Sequence, residues 1–462
     1  MGSPSPGEVI RQVLHVPVTT SADVVVVGGG TAGIAAALAS ARAGARTVLV
    51  ERYGFPGGCL IGGATGFHTF YNVYHREAGA AKRKLVEGIA QEIVDRLTAA
   101  GGGLGHIEFE RSINFNSVLT PVEPEALKRV AHEMLAEAGV DLLLHARAVD
   151  VLKEGDRAAG VIIESKAGRE AIRARQVVDT SGDGDAAARL GAPHTHYARE
   201  KAWGVSLTFR LAAVRLEAAL EQLDPMGVVS QIARAVKVGG TGPEIVRMAF
   251  SLRRAFPQEC ERLGLPGHFI TTSIRRGECT YCNCTWHRPS DTLDPRDLGR
   301  AELALRRQVE AVAAFLRERV RGFEDSYVAA TSVQVGVRQS RVFDCEYEVT
   351  REDVVGGRQF PDEVGLIAFV DLADYWVKDA GAVGLPYRAL VPKGVENLLV
   401  AGRMIGHDHV VFQTLRNTVA SVLGGQAAGT AAAMAAADGT SPRRLDPQVL
   451  RRRLAADGVL FE

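Results

Sequence analysis

Between residues 23 and 52 the chain reads Asp23-Val24-Val25-Val26-Val27-Gly28-Gly29-Gly30-Thr31-Ala32-Gly33, then a small-residue segment from Ile34 to Ala43, then Gly44, then Val48-Leu49-Val50-Glu51-Arg52. Four consecutive valines predict a strand buried on both faces, as in a parallel sheet. The strand runs directly into Gly-x-Gly-x-x-Gly. Gly28 permits the tight turn, Gly30 lets the backbone approach a pyrophosphate, and Gly33 lets helix pack against strand. The Ala- and Leu-rich segment that follows predicts a helix closed by Gly44, with its N-terminal N–H groups turned to the phosphates. The next strand ends in Glu51, about 20 residues past the glycines, where a carboxylate binds ribose hydroxyls and repels a 2′-phosphate. Strand, turn, helix, strand and acid in this order predict a dinucleotide site. They do not by themselves separate NAD from FAD.

The remaining composition narrows the setting. The 462 residues suffice for two or more cores. Lys plus Arg and Asp plus Glu number 54 each and are interspersed, which favours neither nucleic acid nor an anionic membrane. No run of 18 apolar residues is present, so no spanning helix is expected. Met1-Gly2-Ser3-Pro4-Ser5-Pro6 lacks the charged and apolar regions of a signal peptide. A cytoplasmic location is therefore expected, with the six cysteines as thiols.

Along the chain, Tyr53 to Gly66 is a glycine-rich loop suited to lying against a planar ligand. Residues 77 to 100 and 124 to 139 carry helical spacing, and 140 to 165 reads as short strands inserted into the parallel sheet. Gln176 to Asp185 repeats the passage from strand to small-residue turn to helix. Val205 to Leu211 predicts a strand, 212 to 264 several helices, 268 to 290 extended chain, and 301 to 320 a helix. Val395 to Arg403 predicts another strand ending in Ala-Gly, and Arg416 to Ala436 a long Ala- and Gly-rich helix.

Taken together, the glycine fingerprint, Glu51, Gly57-Gly58, Asp179-Thr180-Ser181-Gly182-Asp183-Gly184-Asp185, Val335 to Arg341, Leu385 to Arg388, Glu396 to Arg403 and Gly424 to Ala433 form a recognisable set. In that order they resemble the FAD-dependent oxidoreductase family of the glutathione-reductase-like flavoproteins. The resemblance spans most of the chain and is weakest between 200 and 330. It implies an α/β fold: a doubly wound parallel-sheet FAD-binding domain of residues 1–76, 120–199 and 391–462, a helical excursion over 77–119, and an inserted mixed α+β substrate domain over 200–390. It implies FAD held by Gly28, Gly30, Thr31, Ala32, Gly33, Glu51 and Arg52, then by Gly57, Gly58, Cys59, Val149, Thr180, Ser181 and Gly182. Ala401, Gly402 and Arg403 would approach the ribityl chain, and Arg416 and Thr418 the flavin O2 region. The chain departs from the wider group at Gly402-Arg403, where Gly-Asp is usual; Asp408 is the expected substitute. It also carries Arg338-Gln339-Ser340-Arg341 where Arg-Glu-Ser-Arg is common.

For chemistry, His407 and His409 follow the Ala-Gly turn and are expected to orient substrate or shuttle a proton, with His68 and Tyr71 as further candidates. Arg338 and Arg341 would clamp a carboxylate or form structural ion pairs. Cys279, Cys282 and Cys284 lack a distant second pair, so no metal is expected; on a regular strand Cys279 would face away from the other two. The expected function is transfer of a hydride between a small organic substrate and flavin N5. NAD(P)H or oxygen is a possible second substrate, and a homo-oligomer a possible assembly. A flavin monooxygenase, an NAD-only dehydrogenase and a non-catalytic flavoprotein-fold binding protein stay open at this stage.

Overall fold

The computed structural model describes residues 9–62, 66–112, 116–201, 203–368 and 375–461. The tip of the N-terminal lead-in and residues 63–65 of the glycine loop lie outside the described residues.

Seven strands form the first sheet. In chain order they are β1 (Val18–Val27), β2 (Thr47–Val50), β3 (Asp141–Leu143), β4 (Arg147–Glu154), β5 (Arg157–Ser165), β6 (Gly168–Asp179) and β7 (Leu398–Val400). The parallel order is β3-β2-β1-β6, with Val24 to Val27 paired to Thr47 to Val50 on one side and to Gln176 to Asp179 on the other. Val24, Val25 and Val26 are fully buried, as a central strand with both faces covered requires. The far edge of β6 is shared. Its first half pairs antiparallel with β5, which hairpins to β4, and its last residues pair parallel with Leu398 to Val400 of β7. A segment more than two hundred residues downstream thus joins the sheet beside the second nucleotide turn.

Helix α1 (Thr31–Arg42) covers β1, and the long apolar helix α3 (Thr418–Ala437) lies against it. Two close backbone approaches hold them together. A Cβ on Gly425 would stand 2.2 Å from the carbonyl oxygen of Ala32, and one on Gly429 2.1 Å from that of Ala36. By length and composition α3 is apolar enough to cross a membrane, yet 94% of its apolar window is buried inside the protein, so core packing accounts for its composition.

The second sheet is antiparallel, in the order Tyr327–Thr331, Phe209–Ala212, Glu278–Asn283, His268–Thr272, Pro243–Ser251, Val229–Val236 and Arg111–Ser112. Helix α2 (Pro295–Arg319) presents Leu305, Val309, Val312 and Leu316 to it, in a core shared with Phe209, Leu211 and Met248.

Several expectations are corrected here. The span 212–264 is dominated by the strands Val229–Val236 and Pro243–Ser251, with only short helices before and after them. Val229–Val236 carries polar residues at buried positions, such as Gln231, and Pro243–Ser251 is buried on both faces from Ile245 onward, so neither shows simple alternation. Residues 343 to 390 were expected in the substrate domain, but Phe343, Val354, Leu366, Val383 and Leu390 pack in the first core. Cys279 and Cys282 share a face. A bulge sets Phe209 opposite Cys282 and Leu211 opposite Cys279, so two residues on one strand span three on the other. Both thiols and Cys284 are buried in the second core, and burial pushes the Cys282 and Cys284 thiols up.

The packing yields a prediction of opposite signs. Gly429→Ala should destabilise by roughly 1–3 kcal/mol through overpacking between α1 and α3. Gly299→Ala, on the exposed side of α2 with nothing within 4 Å, should stabilise by about 0.5–1 kcal/mol. Urea denaturation of the two variants measures both; a neutral Gly429→Ala would contradict the backbone contact.

Candidate functional site: a cleft between the two sheets

A cleft of about 1270 Å³ runs from the fingerprint turn to one side of the second sheet. Small-ligand pockets usually occupy about 300–1,000 Å³, so this one has room for more than a mononucleotide.

At its first end the glycines are set by what surrounds them. Gly28 has φ +98°, and a Cβ there would lie 2.7 Å from Ser181 Cα, so the two nucleotide turns touch. A Cβ on Gly33 would fall 1.8 Å from the Gly28 carbonyl oxygen. Gly30 differs: the nearest atom to its Cβ position is Gly58 Cα at 4.0 Å, and the residue opens on the cleft. Two of the three glycines thus permit the turn, and the third leaves a vacant cradle over the start of α1, as a pyrophosphate requires. Glu51 is buried; one carboxylate oxygen accepts the Gly29 N–H at 2.7 Å and the other the Tyr53 N–H at 2.8 Å. A carboxylate has about four lone-pair sites, so acceptor capacity remains for ribose hydroxyls.

The cleft then passes Thr180, Ser181, Gly182 and Asp183. Asp179 does not face it: fully buried, it accepts N–H groups from Ser181 and Ala187 and so fixes the turn and the short helix after it. Asp183 meets Arg403 at 2.6 Å and Ser340 Oγ at 2.5 Å. Burial alone would raise the Asp183 carboxyl, but Arg403 and Ser340 hold it below the ordinary value. Arg341 bonds the Asp183 carbonyl and the Asp185 carboxylate, and Arg338 the Gly204 carbonyl and Ser206, so both arginines of that motif brace the walls.

The far end lies between α3 and the second sheet. Asn417 caps α3, accepting the Ala420 N–H at 3.0 Å and the Thr69 hydroxyl at 2.9 Å. Arg416, Asn417, Thr418 and Ser421 line the cleft there, facing His68, Asn116 and Arg247. Burial, with Arg247 and Arg416 nearby, pushes the His68 imidazole down to about 3. It is neutral at neutral pH.

Of the residues named from the sequence, Gly28, Gly30, Thr31, Ala32, Glu51, Arg52, Gly58, Cys59, Thr180, Ser181, Gly182, Ala401, Gly402, Arg403, Arg416, Thr418 and His68 all line this one cleft. Gly33 and Gly57 stand behind it; a Cβ on Gly57 would strike Ile61. Val149 does not line it, whereas Ala146, Arg147 and Ala148 do, because the chain reaches the cleft at the very start of β4.

The loop histidines are a correction. His407 is buried behind Arg403, with Nδ1 2.6 Å from the Asp408 carbonyl oxygen, and burial lowers its imidazole pKa. His409 is exposed and stacks on Tyr197 at 4.8 Å. Neither lines the cleft. Asp408 is no substitute for a ribityl acid either: it accepts N–H groups from Arg351, Val410 and Val411. Tyr71 also lies outside the cleft lining, under Lys82. Among the described residues no group of three His, Cys, Asp or Glu is placed to hold a metal. Sequence reasoning missed Asn116, Arg147, Asp183 and Arg247. Only Arg247 carried a signal, as a lone cation inside Ile245-Val246-Arg247-Met248-Ala249-Phe250.

The model of the family described as FAD dependent oxidoreductase matches residues 23–454. The chain belongs to that family. FAD is therefore its cofactor and an oxidoreductase reaction its activity, and the Gly30 cradle, Glu51 and the length of the cleft fit that dinucleotide. Thiamine thiazole synthase of Methanococcus maripaludis is 32% identical over 168 residues, which cover 35% of this chain and 56% of that protein, little more than half its length. Among solved structures, a geranylgeranyl bacteriochlorophyll reductase-like protein from Thermoplasma acidophilum is 14% identical with a TM-score of 0.48, covering 95% of this chain and 83% of the other. The myxobacterial chondrochloren halogenase is 13% identical with a TM-score of 0.47, covering 94% and 78%.

The contribution of the Asp183–Arg403 pair is measurable by substitution. Asp183→Asn should cost about 1–3 kcal/mol at neutral pH, because the mostly buried Arg403 then loses its nearest counter-charge. The native carboxyl titrates below its unfolded value of about 3.9, so the pair's contribution is complete above that pH and is lost as pH falls through the lower native value. Urea melts of both proteins across the acid range should show the gap narrowing as pH falls. A gap that stays constant would show that the charge pair is not its source.

Proposed function

We propose that this oxidoreductase moves a hydride between a small polar organic molecule and flavin N5, in a glutathione-reductase-like arrangement. One observation carries the proposal: a single cleft leads from the fingerprint turn to a second sheet, so a ligand anchored at Gly28 to Gly33 extends to side chains of a separate core. The parallel order β3-β2-β1-β6, the hairpin β4-β5 and the return of β7 support the subtype.

Bound FAD would supply the two-electron chemistry. The chain's part is binding and charge. Gly30, with Gly58 packed against it, leaves room for the pyrophosphate at the start of α1, and Glu51 orients the ribose. The first turn of α3 opens into the other end of the cleft, where its dipole favours negative charge. Ser206, Ser230, Ser251 and Asn283 offer polar groups from the second sheet to the substrate. His68, held neutral, serves as a hydrogen-bonding group and not as an acid that delivers a proton at neutral pH. A second substrate, NAD(P)H or oxygen, belongs to this reading, and oxygen uptake coupled to NAD(P)H oxidation would turn it into a monooxygenase.

Gly30→Ala separates the cofactor site from the fold. The new Cβ meets only one atom, at 4.0 Å, and the residue has no positive φ, so the apoprotein should fold with stability within about 0.5 kcal/mol of wild type. Its FAD affinity should fall by at least roughly tenfold, because the methyl fills the pyrophosphate cradle. Flavin absorbance after gel filtration and a urea melt measure the two effects. A variant that folds and retains FAD like wild type would contradict the site.

A further inference from the structure

Arg247 sits in the strand Pro243–Ser251, on the wall of the cleft that faces the start of α3. It is 5% exposed. Its Nε donates to Gln231 at 3.1 Å and its Nη1 to Thr272 at 3.0 Å, and both partners are neutral and buried. Arg403, which also lines the cleft, has a carboxylate partner in Asp183. Among the described residues Arg247 has none.

A buried guanidinium without a counter-charge costs several kcal/mol. Burial lowers the Arg247 pKa to about 10, so the group is still charged at neutral pH. Two of its five N–H donors are used, and they hold the planar fork in place. The same side of the cleft carries further positive charge at its exposed edge: Arg253, Arg254 and His268 line the cleft there, and no Asp or Glu between residues 206 and 286 does so. Arg416 approaches the same space from α3, and with Arg247 it contributes to keeping His68 neutral.

We propose that the substrate is an organic carboxylate and that Arg247 is its anchor. The carboxylate supplies the missing counter-charge and meets the guanidinium fork through two parallel hydrogen bonds. One buried cation with neutral supports matches a singly charged group. A phosphate monoester carries nearly twice the charge, and comparison of the two anions decides which one the pocket takes. Arg247 would thus act as a binding and orienting residue for the substrate site proposed above, and this inference rests on that reading.

The test uses benzoate, its neutral isostere benzamide and phenyl phosphate, titrated into the FAD-loaded protein and followed by the flavin spectrum. Benzoate should saturate, and bind at least roughly tenfold more tightly than either benzamide or phenyl phosphate. Arg247→Met should weaken benzoate by about ten- to a hundredfold, leave benzamide unchanged, and leave the ligand-free protein at least as heat-stable as wild type, since it removes an unpaired buried charge. Arg247→Lys keeps the charge without the fork and should fall between. Equal binding of benzoate and benzamide, tighter binding of phenyl phosphate, no response to benzoate, or wild-type benzoate affinity in Arg247→Met would each overturn the proposal. If the protein held no flavin, the oxidoreductase reading would fail by itself. The carboxylate inference would then be decided by thermal stabilisation with the same three probes and variants.

Discussion

Helices α1 and α3 touch through backbone, and the rest of the arrangement depends on that contact. Gly425 and Gly429 set one helix against the carbonyl oxygens of Ala32 and Ala36 in the other. Side chains of ordinary size would push the axes apart. At this separation the start of α1, at Gly30, and the start of α3, at Asn417, open on one cleft. Two helix N-termini with their positive dipole ends directed at one space suit a ligand that is anionic near its middle and gains charge at one end. The contact also explains why a stretch as apolar as Thr418–Ala437 belongs in a core: it is surrounded by protein on nearly every side.

Charge in the cleft is arranged in two different ways. Near the nucleotide turns, Arg403 has its own anion. Arg403 occupies the position where an acid is usual, and the acid stands opposite it at Asp183, in the second turn. The departure from Gly-Asp is thus met by a carboxylate from another strand end, and not by Asp408, which is occupied as a turn cap. On the second sheet the pattern stops. Arg247 is supported by an amide and a hydroxyl, and its anion is left to the ligand.

How much of this was legible in the sequence follows the range of the forces involved. The fingerprint, Glu51 and the α3 glycines are local devices, where backbone sterics alone select the residue, and they were readable. The strand Val229–Val236 was not, because its buried polar residues are satisfied by neighbours distant in the chain, such as Gln231 by Arg247. The Cys279 to Cys282 spacing misled because a bulge changes the period. His407 and His409 misled for another reason. Their position just after the Ala-Gly turn was correct, but the direction of the loop is set by Val349 and Tyr197, packed from elsewhere. Arg247 needed the fold itself. A lone arginine in an apolar run looks the same whether it pairs or waits for a ligand.

The central claim is that one dinucleotide lies along this cleft, adenosine by Glu51 and flavin by the start of α3. A crystal structure of the FAD-loaded protein tests it most directly. The account predicts ring density against Arg416 to Thr418 with the second sheet across from it. A flavin bound outside the cleft, or with its ring at Glu51 and its adenine at α3, would contradict it.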